Sequence, residues 1–179
     1  GGEYEVHAKR FVIAAGSRAA IPPIEGLDET PYLTNETLFS LDVLPRHLLI
    51  VGGGPIGVEM AQAFRLLGSE VTLFDRGKIL AKDDAELMAI VRERLIEDGV
   101  TLQENARIAS VSHSGEGVAL TLEGAGGKII GSHLLIATGR APSVDDFGLE
   151  EAGVAFDRRG ITTDKGLRTT NKRIYAIGD

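Results

Sequence analysis

The sequence predicts an α/β chain: a central parallel sheet with flanking helices, joined to an antiparallel β-meander. Three observations carry the prediction. An apolar run, a glycine cluster and an amphipathic stretch follow one another at 48–67; a second strand and helix occupy 71–97; short strands separated by glycine-bearing turns begin near 100. Strands that alternate with helices imply parallel pairing, because the crossover between parallel neighbours takes a helix, whereas tight turns imply antiparallel pairing.

Each element has a local reason. LLIV at 48–51 is a short buried strand, and GGGPIG follows at 52–57. A helix over 55–67 starts with Pro55, whose missing N–H is harmless in the first turn. It repeats Ile56, Met60, Ala63, Phe64 and Leu67 at helical spacing and stops at Gly68. VTLF at 71–74 is the second strand, ending at Asp75. Leu87, Val91 and Leu95 mark a second helix over 84–97, entered near Asp83 or Asp84 and closed by Gly99. From Val100 the segments VTLQ, ARIASVSH, VALTL and KII read as the meander, with SGEG and EGAGGK as turns between the last three. LLIATG at 134–139 returns to an apolar strand before a polar segment reaches Ile161.

The ends read differently. YEVHAKRFVIAA at 4–15 has the pattern of strands whose sheet partners lie elsewhere, and IYAIGD at 174–179 stops at a strand end, so the chain is expected to be cut from something longer. The stretch 17–45 holds Pro22, Pro23, Pro31 and Pro45, as expected of a connector. FVIAAGS, LLIATGR and IYAIGD each run an apolar strand into a glycine, which suggests close approach to ligands.

Composition narrows the function classes. The 179 residues carry 19 Lys and Arg against 26 Asp and Glu, a formal charge of −7, which argues against a broad nucleic-acid face. With 43% hydrophobic residues the chain can bury a core. No apolar run approaches the ~20 residues of a membrane span, so a cytoplasmic protein with no membrane partner is expected. There is no cysteine, hence no thiol nucleophile, disulfide or zinc-thiolate site in this chain.

Gly52, Gly54 and Gly57 form G-x-G-x-x-G between a strand and a helix, the context in which the pattern has a mechanism. The first glycine allows the tight turn, the second admits a pyrophosphate to the backbone, and the third lets helix and strand pack closely. The helix N-terminus then holds the anion. Gly52, Gly54, Pro55, Ile56 and Gly57 are thus candidate cofactor-binding residues for a dinucleotide. Asp75 lies 23 residues beyond Gly52, where a carboxylate accepts from an adenosine ribose and repels a 2′-phosphate, favouring NAD over NADP. Arg76 is the opposing feature, a cation able to reach a phosphate or simply to face solvent.

Other residues have plainer readings. Glu59 sits one turn into the helix, where the dipole favours a carboxylate. His7, His47, His113 and His133 lack ligand spacing, so no metal site is assigned. Ser17, Ser110, Ser112 and Ser143 lack a nucleophile-elbow sequence. Arg92, Glu93, Arg94 and Glu97 read as a solvated helix face.

In this order, GGGPIGVE, LLIATGRAPSVDDFGLEEAGV and LRTTNKRIYAIGD resemble the flavin-dependent pyridine nucleotide-disulfide oxidoreductases, which include glutathione reductase, dihydrolipoamide dehydrogenase and mercuric reductase. The resemblance covers essentially the whole chain, and FVIAAGSRAAIPPIEGL with TPYLTNETLF is most similar to mercuric reductases. It implies the end of an FAD-binding domain and a connector over 1–44, an NAD(P)H-binding domain over 45–157, and a return into the FAD domain over 158–179. Strands at both ends would then be partial strands of that FAD domain.

The resemblance further implies hydride transfer from NAD(P)H to FAD, then electron transfer to a cysteine pair and a disulfide or Hg(II) acceptor. It implies that Glu59 lies near nicotinamide and flavin as the catalytic residue, paired with a lysine of the FAD domain. Gly139 and Arg140 match a second A-T-G-R element beside the nicotinamide and flavin. Ala15 and Gly16 match a first A-T-G element near FAD, and Gly178 and Asp179 match a G-D element whose aspartate binds the ribityl chain. The family's FAD fingerprint, its C-x-x-x-x-C pair and its C-terminal dimerisation domain are not in this sequence, so the chain is expected to be inactive alone and the full-length protein to be a homodimer. Two rivals remain at this point: a flavin reductase without redox cysteines that serves ferredoxin or a quinone, and a stand-alone NAD-binding module.

Overall fold

The structure, a computed structural model, describes residues 4–115, 117–124 and 127–178. Along the chain run β1 (Phe11–Ile13), β2 (Ser17–Ala19), a single 3-10 turn (Leu38–Ser40), β3 (His47–Val51), α1 (Pro55–Leu67), β4 (Glu70–Phe74), α2 (Ala85–Glu97), β5 (Thr101–Gln103), β6 (Ile108–Ser114), β7 (Gly117–Leu122), β8 (Lys128–Gly131) and β9 (His133–Ile136). They are followed by β10 (Arg140–Pro142), β11 (Phe156–Asp157), β12 (Gly160–Ile161) and β13 (Ile174–Ala176). The chain divides into two compact units, Ala19–Gly139 and Gly1–Arg18 with Arg140–Asp179.

The larger unit has the predicted architecture. Its four-stranded parallel sheet has the order β5-β4-β3-β9, and β6-β7-β8 form the antiparallel meander. Alternation along each strand sends residues to opposite faces. Leu48 and Ile50 of β3, Val71 and Leu73 of β4 and Leu135 of β9 join Val58, Ala61 and Leu95 from the helices. Leu49, Val51, Phe74, Leu134 and Ile136 join Val111, Val118 and Leu120 from the meander. A sheet buried on both faces explains why β3 and β9 read as unbroken apolar runs instead of alternating ones.

The helices match their sequence signals. α1 begins with Pro55 in its first turn and ends at Gly68 (φ 111°), whose N–H donates to Arg65 O at 3.1 Å. α2 is capped by Asp84, whose carboxylate accepts from the N–H groups of Glu86 and Leu87 at 3.0 and 3.3 Å.

One strand sits elsewhere than expected. VTLQ does not head the meander; Thr101–Gln103 pairs in parallel with Thr72–Phe74 and forms the outer strand of the central sheet. Three residues of β-former have the same local preference in either sheet. Burial decides: Val100 is buried in the helix-side core and Leu102 packs against it. Glu116, Ala125 and Gly126 of the two expected turns lie outside the described residues.

The proline-bearing stretch does more than connect. Leu27 and Leu38 are buried in the larger unit, on its meander side and helix side respectively. Leu33 bridges in parallel to Leu135 beside β9, its N–H donating to Leu134 O at 2.7 Å. In the smaller unit β1 and β13 pair in parallel, Phe11 against Ile174 through Ile13 against Ala176, so two of the three glycine-ended runs are neighbours.

Candidate functional site

The glycine turn lies between β3 and α1, at the carboxyl end of the central parallel sheet, the edge where open α/β sheets offer their binding crevices. Gly52 has φ 116°, and its N–H donates to Phe74 O at 2.8 Å. A Cβ at Gly57 would sit 1.8 Å from the Gly52 carbonyl oxygen, so the start of α1 rests directly on the strand end. Gly54, the residue before the helix, is different: a Cβ there would meet nothing within 4 Å. Pro55 is exposed, Ile56 half-buried, and the first helical bond runs from Val58 N–H to Gly54 O at 3.0 Å. The N–H groups of Ile56 and Gly57 therefore precede the helical bonding pattern and point from the positive end of the helix dipole.

Asp75 follows β4 directly. Its Oδ2 accepts from Gly53 N–H and its Oδ1 from Gly77 N–H, both at 2.7 Å. The carboxylate thus ties the glycine turn to its own loop, a link that spacing alone does not reveal. Leu80 N–H closes the same loop onto Gly53 O at 2.8 Å. Arg76 is exposed on it. Glu59 is exposed on α1, one turn beyond the glycines.

Sequence reasoning missed Glu104, Arg92 and Ile79. Glu104 follows β5 as Asp75 follows β4, and its Oε1 accepts from Ile79 N–H at 3.1 Å. Its Oε2 accepts from Arg92 Nε at 2.9 Å and also from Nη2. The Arg92 hydrogen bond, helped by Ile79 N–H and by the charge of Lys78, holds the Glu104 carboxyl below the usual range against the opposing effect of burial. Arg92 is therefore a tether to a nearly buried carboxylate and not part of a purely solvated face. The signal was present as an echo, VTLFD at 71–75 and VTLQE at 100–104.

The remaining sequence-derived residues fall at two places. Gly139 (φ 133°) ends the run after β9, its carbonyl accepting from Ala20 N–H at 3.0 Å, and Thr138 Oγ1 donates to Ala20 O at 2.8 Å. Within the smaller unit, Arg140 Nε donates to Ser17 Oγ at 2.7 Å. There, Ala15, Gly16 and Gly178 line a cleft of about 270 Å³ with Ser143, Arg159 and Thr163. Asp179 lies outside the described residues. His47 is accounted for structurally, its Nε2 lying 2.9 Å from Thr72 Oγ1.

The sequence profile of the pyridine nucleotide-disulphide oxidoreductases matches residues 1–179. The chain belongs to that family. Among curated relatives of this oxidoreductase family, the mercuric reductase of Streptomyces lividans is 43% identical over 182 residues, covering 100% of this chain and 38% of the relative. The mercuric reductase of Bacillus cereus is 42% identical over 179 residues, covering 98% of this chain and 28% of the relative. The chain thus spans about a third of the length of these relatives. Among solved structures, the HOCl-induced flavoprotein disulfide reductase RclA from Escherichia coli superimposes with TM-score 0.92 at 36% identity, covering 98% of this chain and 41% of that one. The family and fold expected from the sequence both hold. Among the described residues no helix is long and apolar enough to cross a membrane.

Proposed function

We propose that this chain is the NAD(P)H-binding part of an FAD-dependent pyridine nucleotide-disulfide oxidoreductase of the mercuric-reductase-like kind. The observation that carries the reading is the contrast between two glycines: a Cβ at 57 is blocked by backbone, whereas the space at 54 is open in front of a helix N-terminus. An open cradle beside unpaired first-turn N–H groups fits a dinucleotide pyrophosphate. Gly54 admits the phosphates, Ile56 and Gly57 donate to them, and Gly52 and Pro55 set the turn. Asp75 already accepts two N–H groups, yet each carboxylate oxygen has a second lone pair, so a ribose hydroxyl can still donate to it. Its negative charge favours NAD over NADP, with Arg76 as the opposing cation.

When bound, the cofactors supply the redox chemistry: hydride from the nicotinamide to FAD, then electrons to a cysteine pair and on to a disulfide or Hg(II). This chain has no cysteine, so its own part is binding and orientation, and alone it does not turn over. In the whole protein Glu59, Gly139 and Arg140 lie at the nicotinamide and flavin, and Ala15, Gly16, Gly178 and Asp179 belong to the FAD site. Residues 1–18 and 158–179 then belong with the FAD domain and 45–139 with the NAD(P)H domain, while the connector 19–44 packs within the larger unit and 140–157 fall in the smaller one. The whole protein is a cytoplasmic homodimer that engages neither nucleic acid nor membrane. Calorimetric titration of the chain with NADH and with NADPH tests the reading: binding with NADH preferred is expected, and no binding of either overturns it.

A further inference from the structure

The two copies of VTL lie side by side in the central sheet, Thr72 against Thr101 and Phe74 against Gln103. Their register brings the acidic residues that follow, Asp75 and Glu104, to adjacent strand ends. Asp75 turns onto the glycine turn through Gly53 N–H, while Glu104 turns onto the loop beyond Asp75 through Ile79 N–H. That loop is laced down at three further points: Asn105 N–H donates to Gly77 O at 2.9 Å, Ala106 N–H to Asp75 O at 2.9 Å, and Leu80 N–H to Gly53 O at 2.8 Å. Ile79 is buried, whereas Arg76 and Lys78 are exposed. Two cations thus stand on a fixed loop, and Glu104 is tied to that loop through Ile79 N–H. The Glu104 side chain is 10% exposed and the Arg92 side chain paired with it is 44% exposed.

We infer that Glu104 and Arg92 form a specificity-determining pair for the proposed dinucleotide site, Glu104 positioning the loop 76–80 and offsetting its cations against a 2′-phosphate. The inference rests on the NAD(P)H reading and deepens it. A nearly buried carboxylate bonded to a cationic loop lowers the potential felt by an incoming anion, and Arg92 restores part of it. The two partners therefore act on phosphate preference in opposite directions. A merely structural ion pair behaves otherwise, since losing either partner has the same consequence.

The test is the ratio of NADPH to NADH dissociation constants, measured by calorimetry on the full chain, for the unsubstituted protein, Glu104→Gln, Arg92→Gln and the double variant. Gln at 104 keeps an acceptor for Ile79 N–H, so the charge changes more than the loop. Glu104→Gln should shift the ratio toward NADPH by on the order of three- to fivefold, the size of a screened unit charge acting on a phosphate of nearly two charges. Arg92→Gln should shift it toward NADH, and the double variant should return it toward the original value. Thermal melts identify any variant that does not fold; if Glu104→Gln is lost, the sign of the Arg92→Gln shift decides. Shifts of the same sign, or unchanged ratios with binding intact, overturn the inference and leave the dinucleotide site standing. Absence of binding in the unsubstituted chain overturns both.

Discussion

The two glycines that flank Pro55 and Ile56 should respond in opposite ways to an added side chain. At Gly57 a Cβ would lie 1.8 Å from the Gly52 carbonyl oxygen, a backbone atom just after β3, and the Cβ is fixed to the backbone of α1, so neither can rotate away. Overpacking against backbone sits at the upper end of its usual range, about 3 kcal/mol. Alanine's better helix propensity returns at most about 1 kcal/mol. Gly57→Ala should therefore cost a net ~2 kcal/mol, a fall in Tm of about 4–8 °C for a chain of this size. Gly54 has φ −77° and ψ −177°, extended backbone open to any residue, with nothing within 4 Å of its Cβ direction. Gly54→Val exchanges a favoured helix N-cap for a poor one, a cost of about 1 kcal/mol, yet fills the proposed cradle. It should lower NADH affinity at least about tenfold, or 1.4 kcal/mol, with Tm lowered by only about 2–4 °C. Circular-dichroism melts and calorimetry on the two variants supply both readouts. A Gly57→Ala chain that melts with the unsubstituted protein would refute the packing argument. A folded Gly54→Val chain with undiminished affinity would remove the glycine turn from the binding site.

Asp75→Ala should act twice: the NADH preference over NADPH relaxes, and Tm falls because Gly53 and Gly77 lose a charged acceptor, a loss of about 2 kcal/mol. An unchanged affinity ratio would exclude Asp75 from the adenosine end. The Glu104 carboxyl, held low mainly by the Arg92 hydrogen bond, contributes stability that is present above its unfolded pKa of about 4.3 and lost as pH falls through the lower folded value. The Tm advantage of the unsubstituted chain over Glu104→Gln should accordingly be level above about pH 5 and shrink on acidification. An advantage that grows toward pH 3 would contradict the pairing. Asp98, held low by Gln62 first and then by Arg94, should add to the same acid-side loss, so Asp98→Asn should flatten the melting profile below about pH 4.

Local chemistry made much of this molecule legible. The strand–glycine–helix segment at 48–67 needs only neighbours in sequence: a proline where no N–H is wanted, apolar side chains on one helical face, and a glycine where φ must turn positive. The same holds for the Asp84 cap of α2 and for the alternating strands of the meander. The glycine turn and Asp75 were found because each has a fixed offset along the chain, and the family resemblance rested on three longer motifs met in a fixed order.

What the tertiary structure decided involves partners distant in sequence. VTLQ could enter either sheet by its own preference, and the buried positions of Val100 and Leu102 placed it beside β4. The connector's Leu27 and Leu38 became core residues because the faces of the parallel sheet needed covering, which no local pattern states. Asp75's hold on Gly53 and Glu104's hold on Ile79 depend on strand register, set by hydrogen bonds between segments roughly 25 residues apart. Helices and turns close through bonds spanning a few residues and are written in short words of sequence. Sheet partners, and the side chains they bring to the strand ends, are chosen only when the whole core packs.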